Sequence, residues 1–468
     1  MPCGPASGTV RRLCATAHLT FRSAVRSKVL ISLISLLFLT VVALPLMLKG
    51  DGTLYGRAIV LLKYTLGGSA GILAVMTVWM SCQAVSRDVA ERQIQLVVVK
   101  PVHPLELWTG KWLGILAMNA VLLLLTGAAV YAHIRWTLAR PEVTAEERAR
   151  LAREILTARH RIAPRSEGML EQARQYVEQL RAAGRLPGNV RVEDAVAEAH
   201  HRLRVRRNAV APGEERTWIF DSPGDPGSRS AVFLRFRCTA SAFSTAAIKG
   251  TWLVGPPGQA PLFEAPLKTA LGGRSLVRLP RTAVQPDRPL HVTFRNAGKD
   301  RSTTVLFDPA REPELLYGNT GFTGNLLRAL LVLLGFQGLL GALGLSTGSL
   351  FSGPVATFTA GGLVLVFLLV HTFSPGNILE EGTANGHDHG ETPPFVEAIH
   401  RVSARTLGRM AAPVMRFRAI EPLSDGLHIP WLTVGRAWLL LGVVYPGILG
   451  ALSACLLRQR ELGNPGLL

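Results

Sequence analysis

Five cysteines in 468 residues, none in a Cys-x-x-Cys pair, leave this sequence without a disulfide framework or a zinc-site signature. Cys82 and Cys455 lie in apolar runs. Cys238 is the one cysteine of the large polar region, so no disulfide can close within that region. Catalytic signatures are missing too. There is no GxxxxGK[ST], HExxH or GxSxG, and no GxGxxG after a strand; Gly110-Lys111 is followed by Trp112 and lacks the preceding glycine of a phosphate loop. The chain is expected to bind no nucleotide, to need no cofactor and to be no enzyme itself. Acid is scarce: 32 Asp and Glu stand against 51 Lys and Arg, a formal charge of +19. A pI near 10.6 usually suggests nucleic acid, but such binders gather Lys and Arg on a soluble surface. Here the basic residues are mostly Arg, many of them beside apolar runs, and 48% of the chain is hydrophobic. The composition implies two solvents, lipid and water, and no nucleic-acid partner.

Long uncharged runs are what the sequence does have. Val29 to Leu48 carries no charge, and at about 1.5 Å per residue it spans a bilayer core. Its length, and the lack of a small-x-small site before Lys49-Gly50-Asp51, favour an uncleaved span over a signal peptide. Leu62 to Val85 holds only Lys63, near its outer end, where a lysine snorkels; Trp112 to His133 has an aromatic near each end. Leu326 to Phe373 is too long for one helix, and Ser346-Thr347-Gly348-Ser349 with Gly353-Pro354 is expected to divide it in two. Trp431 to Leu457, with Arg436, completes six spans.

Arg11, Arg12, Arg22, Arg26 and Lys28 precede the first span without an acid, which puts that end in the cytoplasm. Six crossings return Arg458, Arg460 and Glu461 to the same side. By parity the region after the third span and the 374–430 loop both face outward. That loop carries Arg401, Arg405, Arg409, Arg416 and Arg418, but loops near its length follow the charge rule loosely.

Between the third and fourth spans the pattern is that of a soluble domain. Thr144 to about Val205 reads as helices: TAEERARLAREILTARHR has a Thr N-cap and Glu in its first turn, and a Gly-Arg-Leu-Pro-Gly break falls near Gly184. From Thr217 the period becomes two. In AVFLRFRC, Val232, Leu234, Phe236 and Cys238 share one face and Arg235 and Arg237 the other; LHVTFRN repeats this with Leu290, Val292 and Phe294. Strands near Trp218, Trp252, Leu276 and Val305, separated by Pro/Gly turns, suggest a β-sandwich. The expected fold is thus a polytopic α-helical membrane protein of about six transmembrane helices, with a large extracytoplasmic α+β insertion between helices 3 and 4. Residues 1–134 form an N-terminal membrane half, 135–322 the insertion (helical over 144–205, β-rich over 215–310), and 323–468 a C-terminal membrane half.

GHDHGE offers His387, Asp388 and His389 as weak metal-ligand candidates, but alternate residues in a Gly-rich loop have no fixed geometry. His200-His201 ends an Arg-rich helix and reads as a solvated face. The stretch SRDVAERQIQLVVVKPVHPLELWTGKWLG, between the second and third spans, is more informative. Val85, Val89, Leu96 and Val99 lie on a helical stripe, opposite a charged face of Arg87, Asp88, Glu91, Arg92 and Gln95. Lys100 before Pro101 ends that helix; Pro104 suits the first position of a new one, with Glu106 in its first turn, running through Gly110-Lys111 into the third span. The geometry is a short elbow, residues 86–111, on the cytoplasmic surface. A plain solvated connection between spans would look similar.

The order of parts resembles a permease subunit of the type-2 ATP-binding-cassette (ABC) exporter family, which includes the nitrous-oxide-reductase maturation and gliding-motility permeases. The resemblance rests on the basic amphipathic RRLCATAHLTFRSAVRSKVL, the span pair joined through Lys100-Pro101-Val102 and Gly110-Lys111, and the closing ACLLRQRELG. It covers the membrane portions; the large insertion departs from the short outer loops of typical members. It implies a multi-pass protein of the bacterial inner (plasma) membrane with both termini cytoplasmic, working as a homodimer or paired permease. A separate ABC-type ATPase subunit would bind the ATP. The elbow would dock on that subunit, with Arg87, Asp88, Glu91, Arg92, Gln95, Lys100, Pro101, Pro104, Glu106 and Lys111 as coupling candidates. Residues 19–29 would lie along the inner surface. Two other classes compete. A membrane-anchored receptor or scaffold would bind its partner through the β domain. An integral-membrane enzyme would want facing ionisable groups inside the spans, where only Lys63, Arg328 and Arg436 occur, all near ends.

Overall fold

The computed structural model describes residues 5–47, 54–90, 103–141, 143–165, 168–186, 192–223, 231–240, 250–267, 274–284, 288–297, 303–308, 313–318, 320–372, 413–414 and 416–462. The chain falls into two compact units, one holding the residues up to Ala158 and those from Gly321 onward, the other Arg159–Thr320.

The first unit is helical. Helix α1 (Pro5–Arg26) is basic and amphipathic, and it meets the apolar α2 (Lys28–Met47) at a bend of 70°. At that bend the Ser27 amide and hydroxyl both donate to the Ala24 carbonyl, at 3.1 and 2.8 Å, which satisfies an orphan helix-end acceptor. Helix α3 comprises Leu54–Val60, a π-helical turn Leu61–Thr65 and Leu66–Ala90. Then come α4 (Pro104–Ala139) and the short α5 (Ala145–Glu154), whose Thr144 and Glu147 form a capping box. Four stretches are long and apolar enough to cross a membrane: Gly56–Asp88, Pro104–Ala139, Phe322–Leu350 and Trp431–Leu456. The bent α1–α2 pair is a fifth if taken as one span, and Gly353–Leu369 is apolar but shorter. This is a membrane protein by the make-up of its helices.

The Ser346-Thr347-Gly348-Ser349 cluster is helical, contrary to the turn expected there, and the break falls at Phe351 and Ser352. Small size explains it. The Thr347 and Ser349 hydroxyls bond back to carbonyls three or four residues earlier, and a side chain at Gly348 would meet the Cys82 carbonyl oxygen at 2.5 Å. These residues let the helix over Phe322–Leu350 approach α3 closely, as small residues do between membrane helices.

The second unit begins with a departure from expectation. Residues 144–205 are not all helical, because His160–Ile162 forms strand β1 and pairs antiparallel with Glu314–Tyr317. Helices over Met169–Ala182 and Val192–Arg207 follow, and then the strands β2 (Ala209–Val210), β3 (Glu215–Phe220), β4 (Val232–Ala240), β5 (Gly250–Val254), β6 (Phe263–Pro266), β7 (Arg274–Leu279), β8 (Leu290–Asn296), β9 (Val305–Phe307) and β10 (Glu314–Tyr317). One sheet runs β1-β10-β4-β9-β2, with β7 on the other side of β4; the second runs β3-β8-β5-β6. Val232, Leu234, Phe236 and Cys238 of β4 face the shared core, as their period predicts. There Trp218, Trp252, Phe236, Phe294 and Phe307 pack ring against ring, with centroids between 4.7 and 6.3 Å apart.

Candidate functional site

The end of α4 at Pro104 gathers most of what can be described of the elbow. His103 caps the helix, its Nδ1 accepting from the Leu105 amide at 3.3 Å, and Pro104 stands at the first position. Glu106, in the first turn, reaches α1: Arg12 Nε is 3.1 Å from Glu106 Oε2, and Arg12 Nη2 donates to Oε1 at 3.4 Å. One turn further, Lys111 reaches α3, where its ammonium donates to the Ala84 carbonyl at 2.5 Å and pairs with Asp88. The lysine side chain is 11% exposed and the Asp88 side chain 27%.

Gly110 and Gly114 explain the close approach of α1. A methyl group at Gly110 would sit 2.6 Å from Thr16 Cβ, and one at Gly114 would sit 2.6 Å from the Ala17 carbonyl oxygen. The GKWLG stretch is therefore a small-xxx-small seat for the basic helix. Trp108 fills the other side; it is 4% exposed and closes over Gly450 of the last helix. The amphipathic helix, α3, α4 and the C-terminal helix are thus tied together within about two turns of one helix start.

Of the expected coupling residues, Asp88, Glu106 and Lys111 are brought into this joint, Pro104 starts its helix, and Arg87 is exposed at the end of α3. Glu91, Arg92, Gln95, Lys100 and Pro101 lie outside the described residues, as do His387, Asp388 and His389. Among the described residues no three His, Cys, Asp or Glu side chains converge as a metal site.

No protein-family model, curated protein or solved structure matches the chain.

Two further polar clusters lie among the helices. Midway along the helices the Thr77 hydroxyl lies 2.6 Å from the Leu73 carbonyl, 3.1 Å from Asn119 Oδ1 and 3.1 Å from Gln337 Oε1. Gln337 Nε2 donates to the Ala70 carbonyl at 3.1 Å. One hydroxyl hydrogen serves one acceptor, and among the described residues the Asn119 Nδ2 group is buried without a partner, so turning that amide supplies the missing donor to Thr77. The network joins α3, α4 and the helix over Phe322–Leu350, and in lipid such bonds hold helices together. Its sequence signal is the run Thr65, Ser69, Thr77 and Ser81, spaced in multiples of four.

The other cluster sits where α3 begins. Asn325 Nδ2 donates to the Leu427 carbonyl at 2.7 Å, and the Ile429 amide donates to Asn325 Oδ1 at 2.8 Å. Arg328 Nη1 stands 3.0 Å from His428 Nδ1, with its guanidinium over Trp431, and Lys63 Nζ is 3.9 Å from Asp425. Gly426 has φ +67°, and a Cβ there would meet the Glu154 carbonyl oxygen at 2.4 Å, so only glycine fits. The segment before the last helix therefore packs on the same end of the bundle as α5.

Proposed function

We propose that this chain is the membrane-spanning permease subunit of an ABC exporter, coupling ATP hydrolysis by a separate ATPase subunit to outward movement of a substrate. The observation that carries the reading is the joint at Pro104. A helix that starts at the membrane surface is fastened at Glu106 to the amphipathic helix and at Lys111 to the preceding span, so a push on it moves three helices together. A solvated loop needs no such fastening. The reading takes six spans: the four long apolar stretches, α2 as the arm of the bent pair that crosses, and Gly353–Thr372. Both termini and the elbow then lie in the cytoplasm of a bacterial cell. The insertion lies outside, and so does the described end of the 374–430 loop. The packing of Asp425 to Ile429 on the α5 end supports that side for the loop.

The substrate pathway, the paired permease copies and the ATPase are parts of the same proposal. Its test is purification of the chain from native membranes, with the charge-swapped variant Glu91→Arg/Arg92→Glu alongside. Co-purification of an ABC-type ATPase that the swap abolishes is the expected result. If the chain comes alone, or the swap leaves the complex intact, the coupling reading fails and a scaffold whose outer β domain binds the partner takes its place.

A further inference from the structure

We propose that the groove between α2 and α4 binds an anionic phospholipid of the surrounding bilayer, with an acyl chain in the groove and the phosphate at Arg140. The inference is independent of any ATPase, because it concerns the other end of α4.

The groove is open along one side and has a volume of about 470 Å³, within the roughly 300–1,000 Å³ of small-molecule sites. Phe38 and Val41 of α2 form one wall and Leu125 and Ala129 of α4 the other. It exists because α4 presents Thr126, Ala129 and Ala132 toward α2, and their short side chains leave space that α2 does not fill. Its walls are apolar until His133 and Trp136, which line it toward the C-terminal end of α4. An apolar trough with one polar end is the shape of an amphiphile.

Charge selects the headgroup. The Arg140 guanidinium lies 4.3 Å from the centre of the Trp136 ring, Arg148 Nη2 donates to the Arg140 carbonyl at 2.8 Å, and Arg135 is exposed one residue before Trp136. Among the described residues none of these three arginines is within ion-pairing distance of a carboxylate. Of the acids in this stretch, Glu147 caps with Thr144 and Glu154 holds Arg150. Guanidinium forks match a phosphate diester, and a group of three arginines at the polar end favours a lipid of net negative charge over a zwitterionic one. This end of α4 continues toward the insertion, so the lipid belongs to the leaflet on the insertion's side.

The test uses the full chain in mild detergent, given equal phosphatidylglycerol and phosphatidylcholine of matched chains, with retained lipid read by native mass spectrometry. Phosphatidylglycerol should be retained in preference by about fivefold for each engaged guanidinium. Arg140→Gln with Arg148→Gln should bring the two lipids near parity. Ala129→Phe should lower retention of both, whereas Arg278→Gln, on the β domain, should change neither. A phosphatidylglycerol with a photoreactive acyl chain should label peptides within residues 34–42 and 122–136. Equal retention of the two lipids by the parent chain, or labelling confined to other helices, overturns the proposal. Should Ala129→Phe fail to fold, the arginine pair and the labelling still decide it.

Discussion

Replacing Lys111 by Met keeps the alkyl stem in place and deletes the ammonium that α4 offers to α3. Two partners are then stranded, the Ala84 carbonyl at 2.5 Å and the Asp88 carboxylate. An exposed ion pair contributes about 0.2–1 kcal/mol, and breaking a fully buried one costs about 3–5 kcal/mol. Here the lysine is nearly covered and the aspartate is about a quarter open, so the cost belongs between those limits, at about 2 kcal/mol. Asp88→Asn keeps an acceptor in reach and should cost about 1 kcal/mol. The double variant leaves no stranded charge, so the pair of changes together should cost about 2 kcal/mol, a coupling near 1 kcal/mol. Reversible unfolding in mixed micelles, followed by tryptophan fluorescence, measures all three. Additivity within about 0.3–0.5 kcal/mol would refute a direct Lys111–Asp88 interaction and with it the stiffness attributed to the joint. If the permease reading holds, Lys111→Met should also lower substrate-stimulated ATPase activity while leaving the ATPase subunit bound.

Gly114→Leu should drive α1 off its seat at a cost of about 2–3 kcal/mol, seen as faster tryptic cleavage at Arg22 and Arg26; unchanged cleavage would mean α1 does not depend on the glycines. Asn325→Ala leaves the Leu427 carbonyl and the Ile429 amide unpaired, at about 1–3 kcal/mol each, so hydrogen exchange at Ile429 should accelerate, with Asn325→Asp intermediate. Burial pushes the Cys238 thiol from 9.0 up to about 11. At pH 8 a charged maleimide should therefore label the exposed Cys14 and spare Cys238; labelling of both at similar rates would contradict its burial. The sign for stability follows from the raised value. The unfolded chain ionises first, so the contribution is whole below pH 9 and is lost as pH rises toward 11, by about 1.4 kcal/mol per unit, and Cys238→Ala should flatten that alkaline decline.

Spans and strands were legible because each follows a period the solvent enforces. The apolar runs at 62–85 and 112–133 lie inside α3 and α4, and the alternation through Val232 to Cys238 is the core face of β4. Local signals misled where a neighbour overrode them. Ser346 to Ser349 has the composition of a turn, yet its hydroxyls bond back along the helix and its glycine lies against Cys82. The stretch Ala158 to Ile162 follows a helix and carries two arginines, yet it alternates, and the edge of β10 takes it as a strand. Neither outcome is visible without the partner.

The contacts of the joint were hidden for the same reason, although its residues were not. Lys111 stands out as the charge at the entrance to an apolar run, but nothing in its own neighbourhood says whether it faces head groups, an ATPase or another helix. Asp88 is its partner from the preceding helix, and Arg12 meets Glu106 across two spans. The pair of glycines decides how close α1 comes to α4. In sequence Gly110-Lys111 suggests a defective phosphate loop; in space Gly110 and Gly114 let α1 lie within van der Waals reach of α4, which brings Arg12 to Glu106. A bulkier residue at either position would hold the two helices apart and lengthen the reach from Arg12 to Glu106. The Arg12–Glu106 pair is thus a consequence of missing side chains, and a gain in volume at Gly110 should weaken it without touching either charge.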